Sequence, residues 1–364
     1  MSNQQRVFKN VLGGLKKMLP TAKQGHTVSL AMLITGIVLG KSAQLSKISN
    51  EVPWPAKNES IEKRLRRWVK NPNVAPEVYF IPFAQQLLAH LAASNTLVLA
   101  LDGSTLGRRC MVLMVGVVYH QRMLPLAWVT YRGKKGHAPV HIHLEVLRQV
   151  LPLIPADADV ILLGDGEYDN IAMLAWLAAE TDWQVVVRTA NNIQVCSEGE
   201  WLSLDELYLE PGDQLALPAV QFTQQAYGPV QVILWWDEHE KQPIYLVTNM
   251  ALSAEACHWY EYRYRIETLF SDKKSRGFQL DKSHLSDPRR LARLLLATSL
   301  AYIWMIYLGI DNLLNGKRQL IDRTDRRDKS IFRLGLDWLT YLLKYDLLLP
   351  PLNFMPPPLP LSAI

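Results

Sequence analysis

Apolar and polar positions divide the 364-residue chain into a helical beginning, a strand-rich middle and a helical end. In the first part, the apolar residues of segment 61–70 recur at i, i+4 and i+7, which predicts an amphipathic helix. They are Ile61, Leu65 and Trp68. A breaker-rich segment at 52–55 precedes this helix. The pattern therefore predicts a helix, a turn and a second helix within residues 1–85.

The other faces of the predicted helix 61–70 carry basic side chains. They include Lys63, Arg64, Arg66 and Arg67. A basic helix after a turn is typical of a module that contacts DNA, and we interpret residues 1–85 as a helical DNA-binding region. A helix with a solvated basic face would give the same pattern, so that alternative stays open.

Five apolar runs in the middle of the chain predict β-strands, and helical spacing separates the later ones. The strand-like runs are 96–102, 111–119, 124–131, 159–164 and 183–188, and the helical segments are 140–151 and 170–180. Short connections make the first three strands an antiparallel meander, whereas helical crossovers make the later pairings parallel. The sequence thus predicts an α/β fold with a mixed sheet and flanking helices.

The remaining patterns complete the expected organisation. Alternation returns at 230–234 and 243–247, which predicts a β-rich insertion, and helical spacing follows from residue 254. The last residues are rich in proline. We expect a helical region 1–85, a core 90–188, a β-rich insertion 189–253, the second part of the core 254–345 and a Pro-rich tail 346–364.

Charge is distributed unevenly, although the formal net charge is only +5. Residues 1–80 contain 13 Lys and Arg against 4 Asp and Glu, whereas residues 151–259 contain 2 against 17. Basic zones are the usual mark of a polyanionic partner. If that partner is DNA, we expect the basic zones to hold it and the acidic insertion to make few contacts.

Cysteine usage and the N-terminal residues bear on the compartment. Three cysteines, Cys110, Cys196 and Cys257, lie far apart and show no zinc-ligand or disulfide spacing. The first residues contain no apolar signal-peptide region. We therefore expect a reducing compartment and a cytoplasmic location.

One apolar stretch is long enough to consider as a membrane span. Residues 294–310 carry no charge over 17 positions, which is at the lower limit for a helix that crosses a bilayer. Charged segments flank it on both sides. We favour a buried core helix and expect no membrane partner, and the membrane alternative can be tested by simple fractionation.

Two aspartates end predicted strands. Asp102 follows the run 96–101 and Asp165 follows the run 159–164. In the predicted sheet these strands can be neighbours, so both carboxylates would project at the carboxyl edge, where open α/β sheets place their sites. Two close carboxylates repel each other unless a cation lies between them, and a hard divalent ion suits such a pair. Each aspartate could instead cap a turn.

The segment around Glu267 offers a third carboxylate beside two cations and a phenol. Tyr260, Arg263 and Lys274 lie at −7, −4 and +7 from it. On one continuous helix, these offsets fall within about 40° of the glutamate position. A carboxylate that completes a metal site, with cations for phosphate oxygens, is what phosphoryl transfer needs. An exposed Arg–Glu ion pair on a helix is the simpler alternative.

The spacing Tyr260-x2-Arg263-x3-Glu267-x6-Lys274, after Asp102 and Asp165, resembles the Y-R-E-K signature of bacterial insertion-sequence transposases of the DDE type, in particular the insertion-sequence-four family. The resemblance extends over roughly residues 90–310. It implies an RNase H-like fold in which a β-rich insertion precedes the helix of the catalytic glutamate.

This resemblance also implies roles for residues. The catalytic, metal-binding triad would be Asp102, Asp165 and Glu267, with two Mg²⁺ or Mn²⁺ ions, and Tyr260, Arg263 and Lys274 would contact DNA phosphates. An aromatic residue of the insertion would stack on a flipped base. The candidates for this stacking are Tyr245, Trp235 and Trp236.

The implied function is that of a DNA transposase acting in the nucleoid. It would bind double-stranded transposon ends and target DNA as a homodimer and cut and join strands, with hairpin ends as the expected route. A transposase-derived DNA-binding protein without catalysis is the alternative, and metal-dependent nicking distinguishes the two.

Overall fold

The computed structural model describes residues 1–93, 96–134, 136 and 138–357. Within them, one mixed sheet of ten strands runs through the middle of the molecule. The strands are β1 (Leu97–Gly107), β2 (Cys110–Tyr119), β3 (Arg122–Arg132), β4 (Val160–Gly164), β5 (Gln184–Thr189), β6 (Gln194–Ser197), β7 (Glu200–Ser203), β8 (Gln214–Phe222), β9 (Tyr227–Trp235) and β10 (Ile244–Thr248).

Helices flank the sheet and come from both ends of the chain. They are α1 (Asn3–Met18), α2 (Gln24–Gly40), α3 (Leu45–Glu51), α4 (Asn58–Lys70), α5 (Pro76–Tyr79), α6 (Ile81–Ala92), α7 (Val140–Val150), α8 (Ile171–Glu180), α9 (Ser253–Tyr260), α10 (Arg265–Lys273), α11 (Pro288–Leu314) and α12 (Ile331–Lys344). Among them, α6, α7, α10 and α11 pack against β1–β3, and α9 packs against β4 and β5.

The order of the strands is β3-β2-β1-β4-β5-β10-β9-β8-β6-β7. Strands β1 to β3 form an antiparallel meander, while β4 pairs in parallel with both β1 and β5. The helices α7 and α8 lie between the parallel strands in the sequence, and parallel strands need such long connections. The predicted mixed sheet with flanking helices is confirmed.

One strand end differs from the prediction. Strand β1 does not stop at Asp102 but continues to Gly107, because its antiparallel partner β2 accompanies it as far as the Gly107↔Cys110 pair. The parallel partner β4 ends earlier, with Gly164 opposite Leu101. Asp102 therefore lies inside a strand, at the point where the parallel pairing with β4 ends.

The acidic segment after β5 extends the same sheet. Sequence patterns predicted strands at 230–234 and 243–247, and β9 and β10 occupy these places. Three further strands, β6 to β8, add to the edge, and β10 returns to pair antiparallel with β5. The short alternating runs of β6 and β7 are too brief to stand out from loops by pattern alone. The domain bounds stay predictions.

Helix α11 is the central apolar helix of the fold. By length and composition it is long and apolar enough to cross a membrane, but 83% of its most apolar window is buried inside the protein. The pair Gln24–Gly40 and Leu45–Glu51 passes the same test only jointly, with a 91° bend between the two helices. Contacts with α12, α2, α4 and the sheet cover α11, so this helix lies in the core.

The N-terminal helices pack directly on α11. In α4, the residues predicted to face a core, Ile61, Leu65 and Trp68, are buried. The guanidinium of Arg293 on α11 donates to the carbonyl of Val69, in the last turn of α4, at 3.2 Å and to that of Val74, after α4, at 3.1 Å. Because of these bonds, α4 has a defined position relative to the sheet.

The described part of the Pro-rich tail lies against the protein as an extended strap. Phe354 is fully buried, with its ring 5.1 Å from that of Phe83 on α6. Asn10 of α1 donates to the carbonyl of Pro350, and the Tyr119 hydroxyl at the end of β2 donates to that of Pro357, both at 2.8 Å. The strap thus joins α1 to the end of β2.

Phe354→Ala is expected to lower the free energy of unfolding by about 3–5 kcal/mol, because it empties a fully buried site that the strap fills. Leu348→Ala, in the same tail but 94% exposed, should change it by less than about 0.5 kcal/mol. Urea unfolding followed by tryptophan fluorescence measures both. Equal effects of the two substitutions would show that the strap does not contribute to stability.

Candidate active site

The register of the parallel strands brings three charged residues into one row. Leu101 of β1 pairs with Gly164 of β4, and Gly164 pairs with Val187 of β5. The next residues in the three segments are Asp102, Asp165 and Arg188. Neighbouring strands lie roughly 4.8 Å apart. Two carboxylates and a guanidinium therefore stand side by side at the carboxyl edge of the parallel pairs.

Local backbone bonds orient both aspartates. One carboxylate oxygen of Asp102 accepts the Gly103 N–H at 2.7 Å, and one of Asp165 accepts the Glu167 N–H at 3.0 Å. Asp102 is only 6% exposed, whereas Asp165 is half-buried and lines a cavity of about 450 Å³. This edge of the sheet is thus open to a ligand at Asp165.

Arg188 is the residue of this row that the sequence prediction missed. It lines the cavity beside Asp165 and also a second cavity of about 440 Å³ that contains Tyr260 and Arg263. The signal was available: Arg188 follows an apolar run, as both aspartates do, at the end of a predicted parallel strand. Arg188 therefore forms part of the wall of both cavities.

The segment from Tyr260 to Lys274 is not one continuous helix, so the prediction of a single helix face is wrong. Helix α9 ends at Tyr260, and α10 begins at Arg265. Bonds of the i→i+3 type tighten the backbone between them, including Arg263 N–H to Tyr260 O and Glu267 N–H to Tyr264 O, both at 3.0 Å. The turn, not a helical repeat, sets the relative positions of the signature residues.

The signature residues nevertheless surround the two aspartates. Arg263 donates to Glu267 at 2.8 Å, and its guanidinium lies 5.9 Å from the centre of the Tyr260 ring. Burial lowers the pKa of Arg263, but the neighbouring Tyr260, Glu267 and Asp102 raise it overall. Arg263 is therefore paired with Glu267 and lies within the influence of the Asp102 charge.

Tyr260 makes the corresponding connection to Asp165. Burial raises the pKa of Tyr260 to about 12, the cations Arg263 and Arg188 oppose this rise, and the charge of Asp165 adds to it. Tyr260, Arg188 and Arg263 line the same cavity. The phenol stays protonated at physiological pH and can donate a hydrogen bond to a phosphate.

Lys274 reaches the same edge from the other end of α10. Its ammonium donates to the Ser104 hydroxyl at 2.6 Å, two residues beyond Asp102 on β1. Lys274 follows the last residue of α10 and caps that helix. The Lys274 ammonium thus lies against β1, two residues from Asp102.

The three carboxylates do not form a ready ligand set. Within 1–93, 96–134, 136 and 138–357, no group of three or more His, Cys, Asp or Glu side chains is close enough to hold a metal ion. The side chain of Glu267 is 59% exposed and is paired with Arg263. The Asp102–Asp165 pair suits a hard divalent cation, whereas Glu267 is bonded to Arg263.

The candidate stacking residues have different surroundings. Tyr245 on β10 is 8% exposed and lines the cavity beside Asp165, while Trp235 lines the second cavity with Arg263. The indole N–H of Trp236 donates to the Glu240 carbonyl at 3.1 Å. Tyr245 and Trp235 therefore lie at the candidate site, and Trp236 is held in the following turn.

The basic residues of α4 divide into two groups. Lys63, Arg66 and Arg67 are exposed, and Arg66 is paired with Glu62 on the same helix. Arg64 is half-buried: it donates to the Ser29 hydroxyl at 3.0 Å and stacks 5.0 Å from the centre of the Trp54 ring. Arg64 therefore has a structural role within the N-terminal helices, whatever else it contacts.

Two buried charges at the end of α10 were also missed by the sequence prediction. The ammonium of Lys273 is fully buried and donates to the Ser299 hydroxyl of α11 at 2.6 Å. Asp272 is 3% exposed, with Arg122 at 3.7 Å, and burial raises its pKa to about 6. The sequence does not distinguish Lys273 from Lys274, but Lys273 lies in the core and Lys274 lies at the candidate site.

The chain matches a known family of proteins. A family model described as the transposase DDE domain matches residues 94–304, more than half of the chain. The chain is therefore a member of the DDE transposase domain family, a DNA transposase. The narrower insertion-sequence-four assignment stays a prediction.

Comparisons with individual proteins add little beyond this family. A search of the curated proteins gave no match. Among solved structures, the cryo-EM structure of the piggyBac transposase synaptic complex with hairpin DNA is similar at 10% sequence identity and a TM-score of 0.45. The similarity covers 99% of this chain and 87% of that chain.

Lys273→Met is expected to be more stable than the wild type at pH 7. Burial lowers the pKa of Lys273 from 10.5 to about 7. Between these values the unfolded chain binds a proton that the folded protein does not, so the folded state loses stability as the pH falls towards 7. Methionine does not bind a proton and so removes this loss of stability. Urea unfolding of the variant and the wild type at pH 7 and pH 9.5 measures the free energy of unfolding of each.

Lys282→Met, at an exposed position, serves as the control and should show no such pH dependence. If the stability difference between Lys273→Met and the wild type were the same at both pH values, the buried amine would not be the cause.

Proposed function

We propose that this transposase cuts and joins DNA strands at a site built from Asp102, Asp165 and Glu267, with two divalent ions, Mg²⁺ or Mn²⁺. The observation that supports this most strongly is the row formed by Asp102, Asp165 and Arg188 at one edge of three parallel strands. Anionic ligands for a cation and a cation for a phosphate stand next to each other there. Phosphodiester chemistry needs both.

Asp102 and Asp165 would hold the cations, because their neighbouring carboxylates favour a divalent ion between them. Bound ions of this kind activate a water or 3′-hydroxyl and stabilise the leaving oxygen. Glu267 would complete the site by exchanging its bond with Arg263 for a place beside the aspartates. Arg263, released from the glutamate, would be available for a DNA phosphate.

The surrounding side chains would bind and orient the DNA strand. Tyr260, Arg263 and Lys274 would contact phosphates near the cut, as the signature implies, and Arg188 would be a further contact. Support for this comes from the two cavities that Arg188 lines, one with Asp165 and the other with Tyr260 and Arg263. Guanidinium groups suit phosphate oxygens because they can donate two parallel bonds.

Tyr245 and Trp235 are the better placed of the three stacking candidates, since both line these cavities. A base flipped out beside the cut could stack on either ring. Cut-and-paste transposition with hairpin ends, inferred from the family resemblance, is part of the same proposal.

The order and direction of β1 to β5 support an RNase H-like core. We further propose that the basic face of α4 holds double-stranded transposon ends and that two protomers act together on two ends. A cytoplasmic, nucleoid-associated location and the absence of a membrane partner belong to the same proposal.

Glu267→Gln, Asp102→Asn and Asp165→Asn are expected to lower strand cleavage by about a thousandfold, because each removes a ligand charge from the site. The assay uses a duplex that carries the terminal repeats of the element, with Mg²⁺ and with EDTA. End binding, measured by gel shift, should persist in the variants.

Undiminished cleavage by Glu267→Gln would remove this residue from the site. If the wild type itself bound the ends but cut no strand at any Mg²⁺ or Mn²⁺ concentration, the alternative of a DNA-binding protein without catalysis would replace the proposal.

Reversal of charge at Arg66 and Arg67 together, both to Glu, should weaken end binding. The plot of the logarithm of the association constant against the logarithm of the salt concentration should become shallower by about two units of slope, because two phosphate contacts are lost. Arg64 is left unchanged because it packs on Trp54. Fluorescence anisotropy across a salt series measures the slope.

The control reverses Arg326 and Arg327, which are also exposed, and so changes the net charge equally. If both double variants bound DNA with the same salt dependence, α4 would not be the DNA-binding helix.

A further inference from the structure

The hairpin that joins β1 to β2 extends beyond the sheet edge where the aspartates lie. The pairing of β1 with β4 ends just before Asp102, whereas β1 and β2 stay paired as far as Gly107 and Cys110. At about 3.4 Å per residue, the turn that follows Gly107 lies about 20 Å from Asp102 along β1. The turn residues are Arg108 and Arg109, and both are exposed. Two cations therefore stand at the tip of a hairpin that projects on the side of the candidate site.

The backbone of this turn suits glycine better than arginine. Arg109 has a φ of 56°, in the left-handed region that residues other than glycine rarely adopt. A positive φ at the second residue of a turn usually selects Gly or Asn. Strained residues of this kind cluster at binding sites. The turn presents the Arg109 cation at a cost to stability, which indicates a role other than folding.

Further cations surround the tip of the hairpin. Segments 132–134 and 281–290 carry five Lys and Arg against two Asp, and one of these, Asp287, caps α11 by accepting the Arg290 N–H at 3.1 Å. The exposed cations of this surface, named here the hairpin patch, are Arg108, Arg109, Arg132, Lys134, Lys282 and Arg289. None of the six forms an ion pair with a carboxylate of the described residues. The hairpin patch therefore carries an excess of positive charge.

Backbone contacts hold the hairpin against the loop that precedes α11. The Arg108 N–H donates to the Leu285 carbonyl at 2.9 Å, and a Cβ on Gly107 would lie only 2.6 Å from the same carbonyl. The Thr130 hydroxyl of β3 donates to the Pro288 carbonyl at 2.9 Å. Glycine at position 107 permits this close approach, so the cations of the three segments belong to one fixed surface.

The start of α11 connects the hairpin patch to α4. One nitrogen of the Arg293 guanidinium donates to the carbonyls of both Val69 and Arg289 at 3.2 Å. Val69 lies in the last turn of α4, next to the exposed Lys70. Because one guanidinium bonds to both segments, the hairpin patch and the basic end of α4 adjoin each other.

We propose that the hairpin patch binds phosphates of the transposon-end duplex, and that Arg108 and Arg109 contact it about six base pairs from the cut, since about 20 Å spans that many steps of about 3.4 Å. A polyanion is the partner that suits cations without carboxylate partners. The partner is the transposon end because the hairpin patch adjoins α4. This inference rests on the proposed function, which places the cut at Asp102 and the transposon end on α4.

The test measures binding of a duplex that carries the terminal repeat, by fluorescence anisotropy across a salt series. Arg108→Gln with Arg109→Gln should weaken binding and make the plot of the logarithm of the association constant against the logarithm of the salt concentration shallower by about two units of slope. The control, Arg326→Gln with Arg327→Gln, removes the same charge from another exposed pair and should keep the wild-type slope. Equal slopes for the two double variants would overturn the inference.

Arg109→Gly separates the loss of charge from any loss of folding. Glycine adopts a positive φ without steric cost, so this variant should unfold at the same or a higher urea concentration than the wild type. Its salt plot should nevertheless become shallower by about one unit of slope. Arg109→Lys keeps the charge and should restore the wild-type slope. Wild-type salt dependence in Arg109→Gly would refute the role of this residue.

Ethylation interference locates the contact on the DNA. In the wild type, ethylated phosphates about six base pairs from the cut, on the transposon side, should block binding. This interference should disappear in the variant that carries Arg108→Gln and Arg109→Gln. If interference disappeared on the flanking side of the cut instead, the hairpin patch would hold other DNA and the inference would be wrong.

Cleavage by the wild type separates this inference from the function on which it rests. If the double variant at 108 and 109 binds with the wild-type slope while Glu267→Gln loses cleavage, only the hairpin patch is refuted. If the wild type binds the ends but cuts no strand, and the double variant still loses two units of slope, the proposed cleavage is refuted and the hairpin patch is supported. If the wild type does not bind the ends, both are refuted.

Discussion

The parallel register of β1, β4 and β5 is the constraint on which the rest of the site depends. Hydrogen bonds along these strands align Leu101, Gly164 and Val187, so the residues after them must stand next to each other. A shift of one strand by a single position would turn its charged residue to the other face of the sheet. The fully buried apolar strands make such a shift costly, because it would carry charges into the core.

Positive and negative groups alternate around this row. Arg263 holds Glu267, Lys274 bonds to Ser104, and Arg188 stands beside Asp165. These guanidinium and ammonium groups offset part of the repulsion between the neighbouring carboxylates. The same cations suit a phosphate backbone. The site is therefore compatible with two sets of partners, and exchange between them is the physical basis of the proposed activity.

Buried polar contacts connect this edge to the rest of the chain. The bond from Lys273 to Ser299 anchors the end of α10 on α11, and Arg293 of α11 bonds to the backbone after α4. The strap around Phe354 adds a contact between α1 and the sheet. The helices that carry the basic surface and the strands that carry the aspartates thus share one core.

Local patterns along the sequence predicted β1 to β5, β9, β10 and the helices α4, α7 and α8, because periodicity is a property of neighbouring residues. The same patterns indicated the acidic pair, the glutamate and the basic face of α4 as candidates. They did not reveal that β1 continues past Asp102, since its continuation depends on pairing with β2. They could not separate Lys273 from Lys274, or show the break between Tyr260 and Arg265. Tertiary structure alone decided these points and the alignment of Arg188 with the aspartates, because strand register and burial are set by contacts between segments distant in sequence.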